Sequence, residues 1–162
     1  MTNQKTRNNH YVPQWYQRRF LAPGQSRLFY LNLDPDRKTL PDGRQVLRTA
    51  LHEWGPTNCF VEYDLYTTHF GPIVNDEVER RLFGVIDDQG ARAVCAFALG
   101  DHADVHASFE DFFEHMAAQK LRTPKGLDWI RSCYGVLGQV DLMVEMQALR
   151  LMHCTMWVEG VR

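Results

Sequence analysis

The hydrophobic period changes at Gly71-Pro72, and that change limits the folds open to this chain. Before it, short apolar runs alternate with polar residues and are cut by Pro, Gly and Asp. After it, apolar side chains recur three and four residues apart. Alternation places side chains on opposite faces of a strand, whereas a spacing of three and four lines one face of a helix. The expected fold class is therefore α+β: a small N-terminal antiparallel sheet with one helix, followed by a helical layer of three to five helices. A length of 162 residues suits one domain with a substantial core. Residues 1–9 are read as a flexible arm and 10–162 as a single domain.

In the first half, His10 to Val12 reads as an extended entry to a helix from Pro13 to about Leu21. Proline suits the first helical position because its missing N–H would be unpaired there. Trp15, Tyr16 and Phe20 share one face of that helix, as a core stripe or as a surface for stacking bases. Leu28 to Leu33 reads as a strand covered on both faces, since nearly every position is apolar. Asp34-Pro35-Asp36 and Pro41-Asp42-Gly43 are turns. Val46 to Trp54 is open between strand and helix, and Cys59 to Thr67 reads as a strand.

In the second half, Asn75 or Asp76 caps a helix carrying Val78, Leu82, Phe83 and Ile86, which Gly84 and Gly90 weaken. Ala91 to Leu99 continues it or forms a second helix, with Gly100 as C-cap. Ser108 with Asp111 is a variant capping box opening a helix whose buried face is Phe109, Phe112, Phe113 and Met116. Pro124 ends that helix near Thr123. A further helix spans about Gly126 to Leu137, with Trp129, Ile130, Cys133 and Tyr134 on its apolar side. After Gly138, Val140 to Leu151 is helical, and Met152 to Val158 reads as a terminal strand.

Eighteen basic residues against twenty acidic ones leave a formal charge of −2. That balance gives no footprint for non-specific nucleic-acid or membrane binding, although it leaves room for a local patch. The four cysteines (Cys59, Cys95, Cys133, Cys154) form no Cys-x-x-Cys pair, and three sit in apolar stretches. They are expected to be reduced, buried thiols of a cytoplasmic protein. No apolar run approaches the ~20 residues that span a bilayer. Met1 to Asn9 lacks the apolar stretch of a secretory signal.

The run His10-Tyr11-Val12-Pro13-Gln14-Trp15-Tyr16-Gln17-Arg18-Arg19-Phe20 resembles the opening signature of a bacterial family catalogued as domain-of-unknown-function family 4238. Further pieces resemble it in the same order: Leu28 to Leu33, Asp64-Leu65-Tyr66-Thr67, Val78-Glu79, and Ala118-Gln119-Lys120-Leu121-Arg122-Thr123-Pro124. The resemblance covers about residues 10 to 158. Two departures stand out. Position 9 is Asn where many members carry a second His, and the chain stops at Arg162 where members commonly run on. The resemblance implies a short or truncated member and brings no established activity.

Chemistry concentrates in a few residues. The Asn-His-x-Val-Pro opening resembles the His-x-x-Pro portion of HNH-type nucleases, in which a His activates water beside a divalent metal. On that reading His10 is the base, Gln14 its neighbour, and the carboxylates come from Glu62, Asp64 or Glu79, with Asp64 and Glu79 as metal ligands. The structural alternative has His10 and Gln14 bonding the backbone at a strand-to-helix turn. Gln119 and Arg122 share a helical face. Arg122 either grips a substrate phosphate or forms a buried ion pair with Glu79 or Asp87. His102 and His106 stand four apart, which on a helix suits metal, but Asp101 to His106 reads as a solvated loop. His52, His69 and His115 have no partner in sequence. Phosphate loops, nucleophile elbows and dinucleotide fingerprints are absent. Two functions follow as expectations. One is a metal-assisted phosphodiesterase, a nuclease of a bacterial conflict or defence system. The other is a non-catalytic module that binds a partner protein or nucleic acid.

Overall fold

The computed structural model describes residues 7–161, so most of the expected arm, residues 1–6, lies outside the described residues. Its last two positions, Asn8 and Asn9, belong instead to strand β1 (Asn8–His10), and Asn9 is buried. The fold is α+β, with antiparallel strand pairs first and helices after. Among the described residues the strands make four separate two-stranded ladders. β1 pairs with β6 (Val61–Tyr63), and β2 (Leu28–Leu31) pairs with β5 (Leu51–Trp54). Nested inside the second pair is the hairpin of β3 (Arg37–Thr39) and β4 (Gln45–Leu47); β7 (Thr68–Phe70) turns into β8 (Ile73–Asn75). Gly43 and Gly71 take positive φ at the two tight turns, as the turn chemistry of Asp42-Gly43 and Gly71-Pro72 requires.

Three expectations in this half are corrected. The Leu28 strand stops at Leu31, and its second face is bare. Phe29 is 70% exposed, Leu31 57% and Leu51, which stands opposite Leu31, 54%. A two-stranded ladder has only one face packed here, because no layer reaches the other. Cys59 to Thr67 is broken by a turn in which Asp64 adopts the left-handed conformation (φ 56°). Its Oδ1 accepts a hydrogen bond from the Thr67 hydroxyl (3.1 Å), the local bonding that makes Asp tolerable there. The first helix, α1 (Gln14–Arg18), is short, and its buried residue is Gln17. Phe20 lies beyond its end and is 67% exposed.

In the second half, a π-helical segment (Val78–Phe83) runs without a break into α2 (Gly84–Leu99), which Gly100 caps in the left-handed conformation (φ 70°). Asp101 to His106 is not a loop. Asp101 Oδ1 accepts from the N–H groups of Ala103 and Asp104 and caps a short helix, α3 (His102–Ala107). Ser108 stands at the start of α4 (Phe109–Leu121), but its hydroxyl donates back to the Asp104 carbonyl instead of capping α4. Thr123 Oγ1 accepts from Gly126 N (3.0 Å) and, with Pro124 in the first turn, opens α5 (Pro124–Tyr134). The last helix, α6 (Gln139–Val161), runs for 23 residues. The expected terminal strand at Met152 to Val158 is therefore helix: nothing between Leu151 and Met152 breaks the chain, and propagation adds a hydrogen bond for each residue fixed.

One core joins the halves. Leu65 and Tyr66 from the turn after β6 pack with Phe83 and Ile86, Leu121, Leu127 and Ile130, and Leu142 and Met146. The face of α4 that meets this core is His115, Ala118 and Leu121; Phe112 stacks instead on Phe97 of α2 (3.9 Å between ring centres), and Met116 is exposed. Only Leu127 and Ile130 of α5 are buried, and Trp129, Cys133 and Tyr134 face solvent. Of the four unpaired cysteines only Cys59 is buried. Gly90 has a packing reason: a Cβ there would stand 2.5 Å from the His115 ring, so glycine lets α2 and α4 close. Among the described residues no helix is long and apolar enough to cross a membrane.

Candidate functional site

Arg122 ends α4 inside the protein, 1% exposed, and its guanidinium is held by residues of α2 and α4. Its guanidinium grips Asp87 of α2 bidentately: Nη1 donates to Oδ2 (3.0 Å) and Nη2 to Oδ1 (2.8 Å). Nε and Nη2 also donate to Gln119 Oε1, one helical turn back (3.2 and 2.8 Å), and the guanidinium carbon lies over the Phe83 ring. The Arg122 carbonyl, left over at the helix end, accepts from the Tyr66 hydroxyl (2.6 Å). Gln119 in turn donates from Nε2 to the Tyr11 carbonyl (2.7 Å), which ties the cluster to the chain entry beside His10. The expected ion pair is thus made to Asp87.

Two further titratable groups complete the cluster. Burial pushes the Glu79 carboxyl up to about 7, with Asp87 and Asp76 adding to the rise and Arg122 opposing it. Its Oε2 is buried and has no hydrogen-bond partner. Burial, helped by the Arg122 charge, pushes His115 down to about 4, so its ring is neutral at pH 7. Its Nδ1 stands 3.7 Å from Asp87 Oδ1, too far for a hydrogen bond. Burial also raises Asp87, and the paired Arg122 draws it back down. A carboxyl near 7 is in the range for acid–base work. The Arg122 guanidinium that opposes this rise already gives four of its hydrogens to Asp87 and Gln119.

His10 and Gln14 sit at the strand-to-helix turn. The Thr57 carbonyl can only accept, so His10 Nε2 carries the hydrogen and donates to it (3.1 Å). Gln14 Nε2 comes within 3.4 Å of the same nitrogen, while its Oε1 accepts from Arg18 Nη2 (2.9 Å). A nitrogen that bears a hydrogen cannot accept from the Gln14 amide, so the Thr57 bond holds His10. Asn9 Oδ1 accepts from Tyr66 N (3.3 Å). Asp64, expected as a metal ligand, is ion-paired with Arg7, which holds its carboxyl below the usual range. Among the described residues no group of three or more His, Cys, Asp or Glu side chains is arranged to hold a metal. The geometry therefore joins Gln119 and Arg122, leaves the buried Glu79 carboxyl within the field of Arg122 without a bond to it, and ties His10 and Asp64 to other partners.

What the residue pattern did not announce is a groove of about 380 Å³ between α1 and the β2–β5 hairpin. Val12, Tyr16, Phe20, Phe29, Tyr30 and Phe60 line it, almost wholly apolar, with Gln17 among them. Larger depressions of about 420, 490 and 730 Å³ lie elsewhere on the described residues, and none of these three is lined by His10, Glu79, Gln119 or Arg122. The hint in sequence was Gln17, a polar residue on the inner side of an aromatic helix. His115 was also missed, because its partners come from α1 and α2. Compared with known proteins, the chain matches no family model, no curated protein and no solved structure.

Proposed function

We propose that this chain is a non-catalytic interaction module that binds a partner protein through the groove between α1 and the β2–β5 hairpin. The observation that carries the reading is the exposed aromatic lining, Phe20 and Phe29 above all, on a chain in which His10 and Arg122 are engaged in holding the fold. Apolar patches rimmed by polar residues mark interaction sites, and aromatic side chains dominate their energetics. A charge of −2 gives general attraction to nucleic acid no support. The unpaired cysteines fit a reducing, cytoplasmic setting.

The nuclease reading keeps one observation in its favour, the Glu79 carboxyl near 7. It needs that carboxyl, His10 and a metal in one open cleft. The module reading is tested by following backbone amide resonances while adding the N-acetyl amides of tryptophan, phenylalanine and leucine. Shifts should gather at Tyr16, Phe20, Phe29 and Phe60. Shifts centred on His10 and Glu79, or none anywhere, would overturn it.

A further inference from the structure

The long hairpin of the first half is bare where a domain usually hides apolar surface. Its two ladders, β2–β5 and β3–β4, form one ribbon. Between them the Asn32 N–H donates to the Ala50 carbonyl (2.7 Å) and the Arg48 N–H to the Asp36 carbonyl (2.9 Å). Along this ribbon Phe29, Leu31, Leu33, Leu47 and Leu51 are between 54% and 88% exposed. At roughly 200 Å² for a fully exposed large side chain, they offer roughly 650 Å² of apolar surface. The largest apolar patch of a monomer is about 300–600 Å², and larger ones mark interfaces. Two copies would cover roughly 1,300 Å² between them, inside the range of about 1,200–2,000 Å² of a stable, specific interface. Charge along the ribbon is uneven. The β2–β5 ladder carries one carboxylate, Glu53 opposite Phe29, and no Lys or Arg; the β3–β4 ladder carries Arg37 and Lys38 and no carboxylate. None of these three makes an ion pair among the described residues.

We infer that two copies of this chain pack together through this ribbon, face to face and head to tail, with Glu53 of each copy beside Arg37 and Lys38 of the other. In a two-fold pair the same patch meets itself, so a face fit for a second copy must avoid setting like charges together. Head-to-tail stacking does so. It lays the carboxylate end of one ribbon on the cationic end of the other and leaves leucines against leucines between them. Stacking in the same direction would set Glu53 on Glu53 and the cations on cations. Packed sheets stand about 10 Å apart with their side chains interdigitated, which leaves no need for a further layer. A two-stranded hairpin is marginal alone, and a second ribbon supplies the packing that this one lacks. The inference goes beyond the groove reading and does not depend on it, for the two surfaces share only Phe29.

The test is sedimentation equilibrium of the full chain from about 1 to about 100 µM, since interfaces of this size hold from micromolar concentrations downward. At the upper end the chain should sediment as two copies. Leu51→Glu and, separately, Leu33→Glu change side chains that are already exposed, so circular dichroism should remain that of the parent. Each should weaken dimerisation about tenfold or more. Glu53→Arg should weaken it too, and so should Arg37→Glu combined with Lys38→Glu. Mixing these two weakened proteins should restore the pair, because each then supplies the charge that the other has lost. A purely structural role for these residues would give no such rescue. A single-chain mass at every concentration would overturn the inference, as would a dimer indifferent to both leucine variants. Failure of the two charge variants to pair with each other would overturn the head-to-tail arrangement. A single-chain mass together with groove resonances that still shift on adding the amino-acid amides would sink this inference and leave the groove reading standing.

Discussion

Arg122→Met is expected to cost about 3–5 kcal/mol of folding stability at pH 7, the usual price of stranding a buried ion-pair partner. Methionine keeps the aliphatic stem over Phe83 and removes four hydrogen bonds, two to Asp87 and two to Gln119. Asp87 is then left as a charge in the interior between α2 and α4. A domain of this size is stable by about 5–15 kcal/mol, so the loss is a large fraction of the whole. Adding Asp87→Asn to the variant removes the stranded charge and should return part of that stability, which separates the ion pair from simple packing. Urea unfolding of the two variants and the parent measures both effects. A loss under 1 kcal/mol in Arg122→Met would mean that water, and not protein, surrounds this guanidinium.

The second large effect is in the pH profile. Glu79 is raised from 4.5 to about 7 on folding, so between those values the folded state holds the extra proton. Stability from this group is present below pH 4.5 and is lost as pH rises through about 7. His115 is lowered from 6.5 to about 4, so its contribution is present above pH 6.5 and is lost as pH falls through about 4. At about 1.4 kcal/mol per pH unit, each displacement is worth about 3 kcal/mol. Over pH 4.5–6.5 the two oppose one another and the parent protein should be nearly flat. Glu79→Gln unmasks the histidine: stability should climb from pH 4 to 6.5, and above pH 7 the variant should exceed the parent by about 2–3 kcal/mol. His115→Gln should show the reverse slope, falling from pH 4.5 to 7. Urea midpoints between pH 4 and 8 decide it, and parallel profiles for parent and Glu79→Gln would contradict the account.

The order of the elements was legible because backbone punctuation is local. Gly100 ends α2, and Thr123-Pro124 separates α4 from α5, for reasons contained within a few residues. Sidedness was not legible. Phe29 and Leu31 look like core residues, and only the absence of a covering layer leaves them bare. Met152 to Val158 is apolar enough for a strand, and its helical state is inherited from the turns before it. At the site, Arg122 could be read as a buried ion pair from its place at a helix end, but Glu79 and Asp87 were equivalent choices in sequence. The approach of α2 to α4 across Gly90 selects Asp87 and brings in His115. The groove was hidden for a similar reason. Tyr16 and Phe20 carry helical spacing and read as core, while Phe29 and Phe60 come from elsewhere in the chain and meet them only after folding.

The central claim is that His10 and Arg122 hold the structure and that the protein acts by binding. The direct test is incubation of the purified chain with labelled single- and double-stranded DNA and RNA in Mg²⁺, Mn²⁺ or Zn²⁺, beside a His10→Ala variant shown by circular dichroism to be folded. The account predicts no cleavage by either protein in any metal. Metal-dependent cleavage by the parent that disappears in the folded variant would contradict it and make His10 part of a phosphodiesterase site.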